Sequence, residues 1–428
     1  MKKYAYTNGK ILDGTRNMKV KEGLCVLTEG DKITGLVPAD KIPAGCEMVD
    51  LQGGYLMPGL INMHVHLAGN GKPQKKQRDN EALTKKLMGS ALSRAVTYRV
   101  VAGFAKTELM SGVTTIRTVG GLGDFDTRLR DEIADGKRVG PRILAANRGI
   151  SVPGGHMAGS VAVAADSIEA ALAQIEQSEK ENVDLIKLMI TGGVLDAKAK
   201  GVPGELKMAP EMVKAVCEKA HKKGYKVAAH VESPEGVKVA LANGVDSIEH
   251  GAKADEEMIR LFQEHKAFLC TTISPALPYA LFNRSVSNAS EVEQYNGNIV
   301  FDGIISCAKA ALENGIPVVL GNDVGCPWIT QYDFWRELYY FQKYVGVSNS
   351  FALYTATGRS AELAGIGDIT GTITPGKCAD MIVTEGNPLE DLRYLRHVRM
   401  VVARGNMIRD PKVKINETVR AELDKFIN

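Results

Sequence analysis

Two histidines one residue apart, His64 and His66, follow an apolar run in the segment YLMPGLINMHVHLAGNG. Alternate residues of a strand share a face, so both imidazoles project together. Paired neutral imidazoles in an apolar setting make the first half of a metal site. The chain offers candidates for the other half wherever an apolar run carries or ends in a polar residue. Lys187 lies among apolar neighbours in DLIKLMITGG, His230 closes KVAAHVES, His250 closes DSIEHG, and Asp323 closes VVLGNDVG. Four of the eight histidines in the chain fall at such ends, more than chance placement accounts for. An ammonium inside an apolar strand is costly, and burial lowers its pKa. A neutral amine there can add carbon dioxide to give a carbamate, an anion that bridges two cations as an ammonium cannot. Lys187 therefore points to a two-metal site. Singly, each residue has an ordinary alternative: a structural histidine, an ion-paired lysine, an aspartate in a turn or helix cap. Together those alternatives require six independent coincidences.

Elements able to position such a set are visible in the hydrophobic pattern. Residues 1 to about 56 alternate short apolar runs with turns and read as a small antiparallel β unit. From Pro58, strands alternate with helical stretches such as SIEAALAQIEQSEKEN and APEMVKAVCEKAHKKG. Strands are predicted near Leu60–His66, Thr114–Val119, Arg142–Ser151, Asp184–Thr191, Lys226–Ser233, Asp246–Gly251, Phe268–Ser274 and Val318–Asp323. Eight strands separated by helices predict an α/β fold, a (β/α)8 TIM barrel, with the chemistry at the C-terminal strand ends. From Gly371 the chain returns to short strands in GTITPGKCADMIVT and VRMVVARGNMIRD. These are predicted to join the N-terminal strands in a β-sandwich domain built from both chain ends: residues 1–57 and 366–428 around a barrel of 58–365.

Composition narrows the functional classes. An apolar share of 44% with 24% charged residues suits a globular enzyme, and a net charge of +3 is too small for a nucleic-acid footprint. No stretch reaches membrane-span length, and MKKYAYTNGKILDG lacks the apolar core of a signal peptide. The seven cysteines are odd in number and show no paired spacing, which predicts reduced thiols in the cytoplasm. A small-molecule substrate is expected, with neither nucleic acid nor membrane as partner. The aromatic stretch WITQYDFWRELYYFQKYV predicts a helix packed on the barrel or against another subunit, the basis for expecting a homo-oligomer.

The segments PGLINMHVH, IKLMITGG, AAHVES, IEHG and GNDVG, in this order, resemble the amidohydrolase superfamily of metal-dependent hydrolases, and GTITPGKCADMIV resembles that family's return to its β domain. ITGGV, GVDSIEHG and ALYTATGRSAELAG are most similar to the imidazolonepropionase-related group that includes Xaa-Pro (prolidase-like) and Xaa-Arg/Lys carboxypeptidases. The resemblance implies that His64, His66 and Asp323 hold the more buried metal, that His230 and His250 hold a second, and that carboxylated Lys187 bridges them. It implies two divalent ions, zinc by usual preference. The implied reaction is hydrolysis of an amide-type C–N bond by metal-activated hydroxide, with Asp323 as general acid and base.

Substrate contacts are expected from loops at the strand ends. His156 in SVPGGHMAG is implied to meet the substrate carbonyl or carboxylate, and Arg148 on the same strand end could pair with a carboxylate. Some related peptidases have tyrosine two residues after the strand-five histidine. Here it is Glu232, which would disfavour an anionic substrate and favour a cationic or neutral one. Tyr279 and Arg284, in the long insert after strand seven, are further candidates. The basic segment KPQKKQRDNEALTKK after strand one is either a lid or a solvated face. A competing reading is a single-metal cyclic amidase or deaminase acting on a nitrogen heterocycle. Relatives of that kind typically lack the bridging lysine.

Overall fold

The structure is a computed structural model and describes residues 1–74 and 79–427. Its strands alternate with helices from residue 60 to residue 320, as the sequence predicts. We number the barrel strands β1 (Leu60–Val65), β2 (Val113–Thr118), β3 (Arg142–Ala145), β4 (Leu185–Met189), β5 (Lys226–Val231), β6 (Ser247–His250), β7 (Phe268–Thr271) and β8 (Val318–Leu320). From β4 to β8, neighbouring strands pair in parallel, with Met189 opposite His230, Val231 opposite His250, and Thr271 opposite Leu320. Residues of β4 and β6, and all but the first residue of β5, are buried, as a sheet covered on both faces requires.

The ring is completed by hydrogen bonds at the strand ends. Val119 N donates to Val65 O, Ala146 N to Thr118 O, Asp184 N to Ala145 O, Asp323 N to His64 O and His66 N to Val324 O. The result is a TIM-barrel-like α/β fold. The predicted third strand is interrupted. Buried Asn147 adopts left-handed backbone (φ 53°) and bonds Thr127 and Glu181, so the chain breaks after Ala145 and resumes as a short strand, Gly149–Ser151.

Compactness divides the chain into two units. One unit comprises Met1–Asn62, Ala105–Ile116 and Gln331–Asn428, the other Met63–Phe104 and Arg117–Thr330. In the first, one sheet is built from N-terminal strands alone and a second combines both ends of the chain. Tyr55–Pro58 pairs antiparallel with Met381–Thr384, and Tyr6, Val26, Leu56, Met381 and Val402 from the two sheets share one buried apolar cluster. The N-terminal strands are not wholly antiparallel: Lys3–Thr7 runs parallel to Glu47–Asp50, and Lys10–Leu12 parallel to Tyr55–Pro58. The aromatic stretch forms the helix Phe334–Tyr340 and continues through Val345, with Trp335, Leu338, Tyr340 and Phe341 buried within the chain. The apolar face behind the oligomer expectation is thereby covered. Of the basic segment after strand one, residues 75–78 lie outside the described residues. The part from residue 80 is the helix Asn80–Met88, capped by Asp79 and with no buried residue. Among the described residues no helix is long and apolar enough to cross a membrane, and all seven cysteines are unpaired.

Candidate metal centre

The strand ends bring the predicted ligands together. His64 and His250 are the last or next-to-last residues of their strands, His66 follows β1 by one position, His230 lies in β5, and Asp323 follows β8 by three. The ring centroids of His64 and His66 are 5.3 Å apart, those of His64 and His250 4.8 Å, and those of His230 and His250 4.6 Å. Asp323 Oδ1 lies 3.5 Å from His64 Nε2 and 3.3 Å from His66 Nε2. Candidate ligand atoms of His64, His250 and Asp323 fall within 4.8 Å of one another, and so do those of His230, Glu232 and His250. Lys187 is buried in β4, close enough that its charge bears on all four histidines.

Each imidazole is held by its other nitrogen. Nδ1 of His64 meets Glu249 Oε2 at 2.8 Å, Nδ1 of His66 meets Gly120 O at 2.9 Å, and Nδ1 of His250 meets Thr272 Oγ1 at 2.6 Å. These three therefore present Nε2 to the cluster, whereas His230 is held through Nε2 by Gly192 O at 3.3 Å and presents Nδ1. Anchoring one nitrogen fixes which of them is free to ligate. Burial is the largest cause that pushes all four histidines below their ordinary pKa, so they stand as neutral donors. Burial also pushes the Lys187 amine down to about 8. Its Nζ and Asp323 Oδ1 are buried without a hydrogen-bond partner. Four neutral imidazoles, an unpartnered amine and an unpartnered carboxylate oxygen fit divalent cations in both donor type and orientation.

The backbone bends to make this arrangement. His250 (φ 70°) and Asp323 (φ 55°) both adopt left-handed conformations. For non-glycine residues such conformations persist only where the surroundings impose them, and they concentrate at functional sites. Two glycines make room: a Cβ on Gly321 would come within 2.4 Å of His64 Cβ, and one on Gly120 within 2.9 Å of the His66 ring.

The expected substrate residues separate into two groups. His156 lies on the cluster, its ring stacked on His230 at 4.0 Å and 3°, with Nδ1 2.6 Å from Asp196 Oδ2. Glu232 lies beside it: Oε2 accepts from Val194 N at 3.1 Å, and burial, with Asp323 and Asp196 nearby, pushes its carboxyl up to about 8. Tyr279 is half-buried, and Cys326 and Asp323 are near enough to bear on its hydroxyl. The structure does not bring Arg148 or Arg284 to the cluster. Arg148 faces Glu181, 3.6 Å away, where the helix Ile168–Lys180 ends. Arg284 is exposed, its Nε donating to Ala289 O.

Sequence reasoning missed Asp196, Thr272, Glu249 and Arg117. Alternation along β6 places Glu249 on the face opposite a strand-borne His250. The left-handed turn at His250 breaks that alternation, so both residues reach the interior. Arg117 left a weaker signal than Lys187, because three threonines interrupt the apolar pattern of its strand, VTTIRT.

Comparison with known proteins agrees with this geometry. The profile of the Amidohydrolase family matches residues 55–408. An ochratoxinase from Aspergillus niger is 25% identical over 420 residues, covering 89% of this chain and 83% of its own. A crystal structure of a proposed prolidase from Bifidobacterium longum superposes with a TM-score of 0.87 at 33% identity, covering 99% of this chain and 98% of that one. A Xaa-Pro dipeptidase with methionine bound in its active site gives 0.82 at 29% identity, covering 95% and 100%.

Proposed function

The chain belongs to the amidohydrolase family, a hydrolase acting on carbon–nitrogen bonds, and from that premise we propose a two-metal enzyme that cleaves a dipeptide, N-acyl amino acid or related small amide. The observation that carries this reading is Lys187, a buried amine without a hydrogen-bond partner amid four neutral histidines and Asp323. As a carbamate it would satisfy both its own burial and the charge of two cations. In this reading His64, His66 and Asp323 hold one ion, His230 and His250 the other, and zinc suits the donor set. Bound metals would supply Lewis acidity and an acidified water.

The chain's own residues do the rest. Asp323 takes the proton from the attacking water and delivers it to the leaving nitrogen. His156, oriented by Asp196, binds the substrate carbonyl or carboxylate. Glu232 adds negative charge beside it when ionised and favours cationic or neutral substrates over anionic ones. Tyr279 completes this side of the site. Arg148 and Arg284 are engaged elsewhere and have no part in the proposal.

The test is metal analysis with a hydrolysis panel of Xaa-Pro and Xaa-Arg dipeptides, N-acyl amino acids, lactams, aryl ureas and amino-substituted nitrogen heterocycles. The proposal expects two ions per chain and turnover of an open-chain amide. Turnover of ring amines alone, with release of ammonia, would establish the single-metal deaminase reading in its place.

A further inference from the structure

The four histidines of the cluster are held in unlike ways. Gly120 O, Gly192 O and the Thr272 hydroxyl serve His66, His230 and His250. Among the described residues, only His64 of the four is anchored by a carboxylate at the nitrogen turned away from the cluster, and that carboxylate is itself enclosed. Arg117 Nη2 lies 2.7 Å from Glu249 Oε1 and 2.8 Å from Oε2, while Ser247 Oγ donates to Oε1 at 2.8 Å. Arg117 is fixed in turn, its Nη1 donating to Ser247 Oγ at 3.1 Å and its Nε to Met63 O at 2.7 Å. Arg117, Glu249, Ser247 and His64 are all buried. They come from three strands, so the assembly spans the barrel interior.

A carboxylate held by an arginine can only accept. It compels His64 Nδ1 to be the donor and leaves the Nε2 lone pair facing Asp323. Its charge also strengthens the imidazole as a donor to a cation, as carboxylate–histidine pairs do at metal sites. The neutral partners of the other three histidines orient them without adding charge.

We propose that Glu249, held by Arg117, is a positioning residue that fixes His64 as an Nε2 ligand and makes the His64–His66–Asp323 position the last to give up its metal. This rests on the two-metal reading above. Ser247 acts with the pair by filling the remaining acceptor position on Oε1.

Stepwise chelation of the zinc-loaded protein, with metal content measured after each step, tests the proposal on wild type, E249Q and T272V. Wild type is expected to lose its two ions in separate steps. E249Q should weaken the later step by roughly 10- to 100-fold, the range typical of outer partners of metal ligands, while T272V should move only the earlier one. A variant lacking Glu249 leaves Arg117 buried and unpaired. If E249Q does not fold, R117M/E249Q, which removes both charges, takes its place with the same expectation. Nitrogen-15 spectra of the metal-free protein give a second readout: His64 should carry its proton on Nδ1 in wild type and lose that preference in the variant. Folded E249Q that retains both ions as wild type does, or that loses only the first-leaving one more easily, would overturn the proposal. If wild type binds a single ion, the two-metal reading fails by itself. Weakening of that one ion in E249Q would still support the role of Glu249, and unchanged binding would refute it.

Discussion

The two ends of the ligand cluster are built differently. At the His64–His66 end the partners are a buried ion pair and a backbone carbonyl, and Asp323 closes the set. At the His230–His250 end the partners are neutral, and the neighbours are the half-buried His156, Asp196 and Glu232, whose remaining surface is open to a ligand. In the two-metal proposal, one end would hold an ion, and the other would hold an ion and admit a substrate. A buried charge pair is weak evidence for stability because desolvation offsets its attraction. Its value at the first end lies in orientation. Partly exposed polar groups at the second end are what binding to a changing ligand requires.

The largest effect is expected at the first end. Asp323→Asn removes the proton carrier along with a ligand, and initial rates on the best amide substrate should fall by about 100- to 10,000-fold. Lys187→Ala joins the consequences for both ends: activity should fall by more than about 100-fold, since even outer partners of ligands contribute up to that. Short carboxylic acids should restore part of it, and full activity without them would remove Lys187 from its bridging role. At the second end, His156→Ala should raise KM and lower kcat/KM by roughly 10- to 100-fold, the loss of a hydrogen bond to a polarised or charged group. Asp196→Asn should produce a smaller change in the same direction.

Much of the candidate metal site was legible because a barrel makes its chemistry local. The candidate histidines and Asp323 lie at or near strand ends, so HVH, AAHVES, IEHG and GNDVG could be read one at a time. Lys187 was legible because a lone cation in an apolar strand demands an explanation. The partners across the barrel were not, since Arg117 and Glu249 are 132 positions apart and meet only once the ring closes. Arg148 was read from its strand alone, and its pairing with Glu181 lies across a helix end that local sequence does not show. Parallel pairing of Lys3–Thr7 with Glu47–Asp50 escaped for the related reason that adjacent runs favour hairpins and long-range register leaves no local mark.

Smaller effects sharpen the contrast. Above about pH 8, where the raised Glu232 carboxyl ionises, Glu232→Gln should shift relative kcat/KM by a few-fold toward anionic and away from cationic substrates, and an unchanged ranking across the panel at that pH would detach Glu232 from specificity. At the first end, Gly120 and Gly121 lie between His66 and buried Asp126, where a Cβ on Gly121 would fall 2.4 Å from Asp126 Oδ2. Burial pushes the Asp126 carboxyl up from 3.8 to about 6. The folded state therefore favours the protonated form, and stability is full below the unfolded value and declines as pH rises from 3.8 through about 6. That is worth on the order of 3 kcal/mol. Thermal melts of Asp126→Asn should match wild type below about pH 4 and exceed it above about pH 6. A variant equally or less stable at high pH would contradict this.

Whether these six side chains hold two ions is decided by metal content per chain. Mass-spectrometric metal analysis after zinc loading and desalting should give two ions for wild type and one for the double variant His230→Asn/His250→Asn, whose first end is intact. One ion per chain in wild type, unchanged in that double variant, would contradict the account.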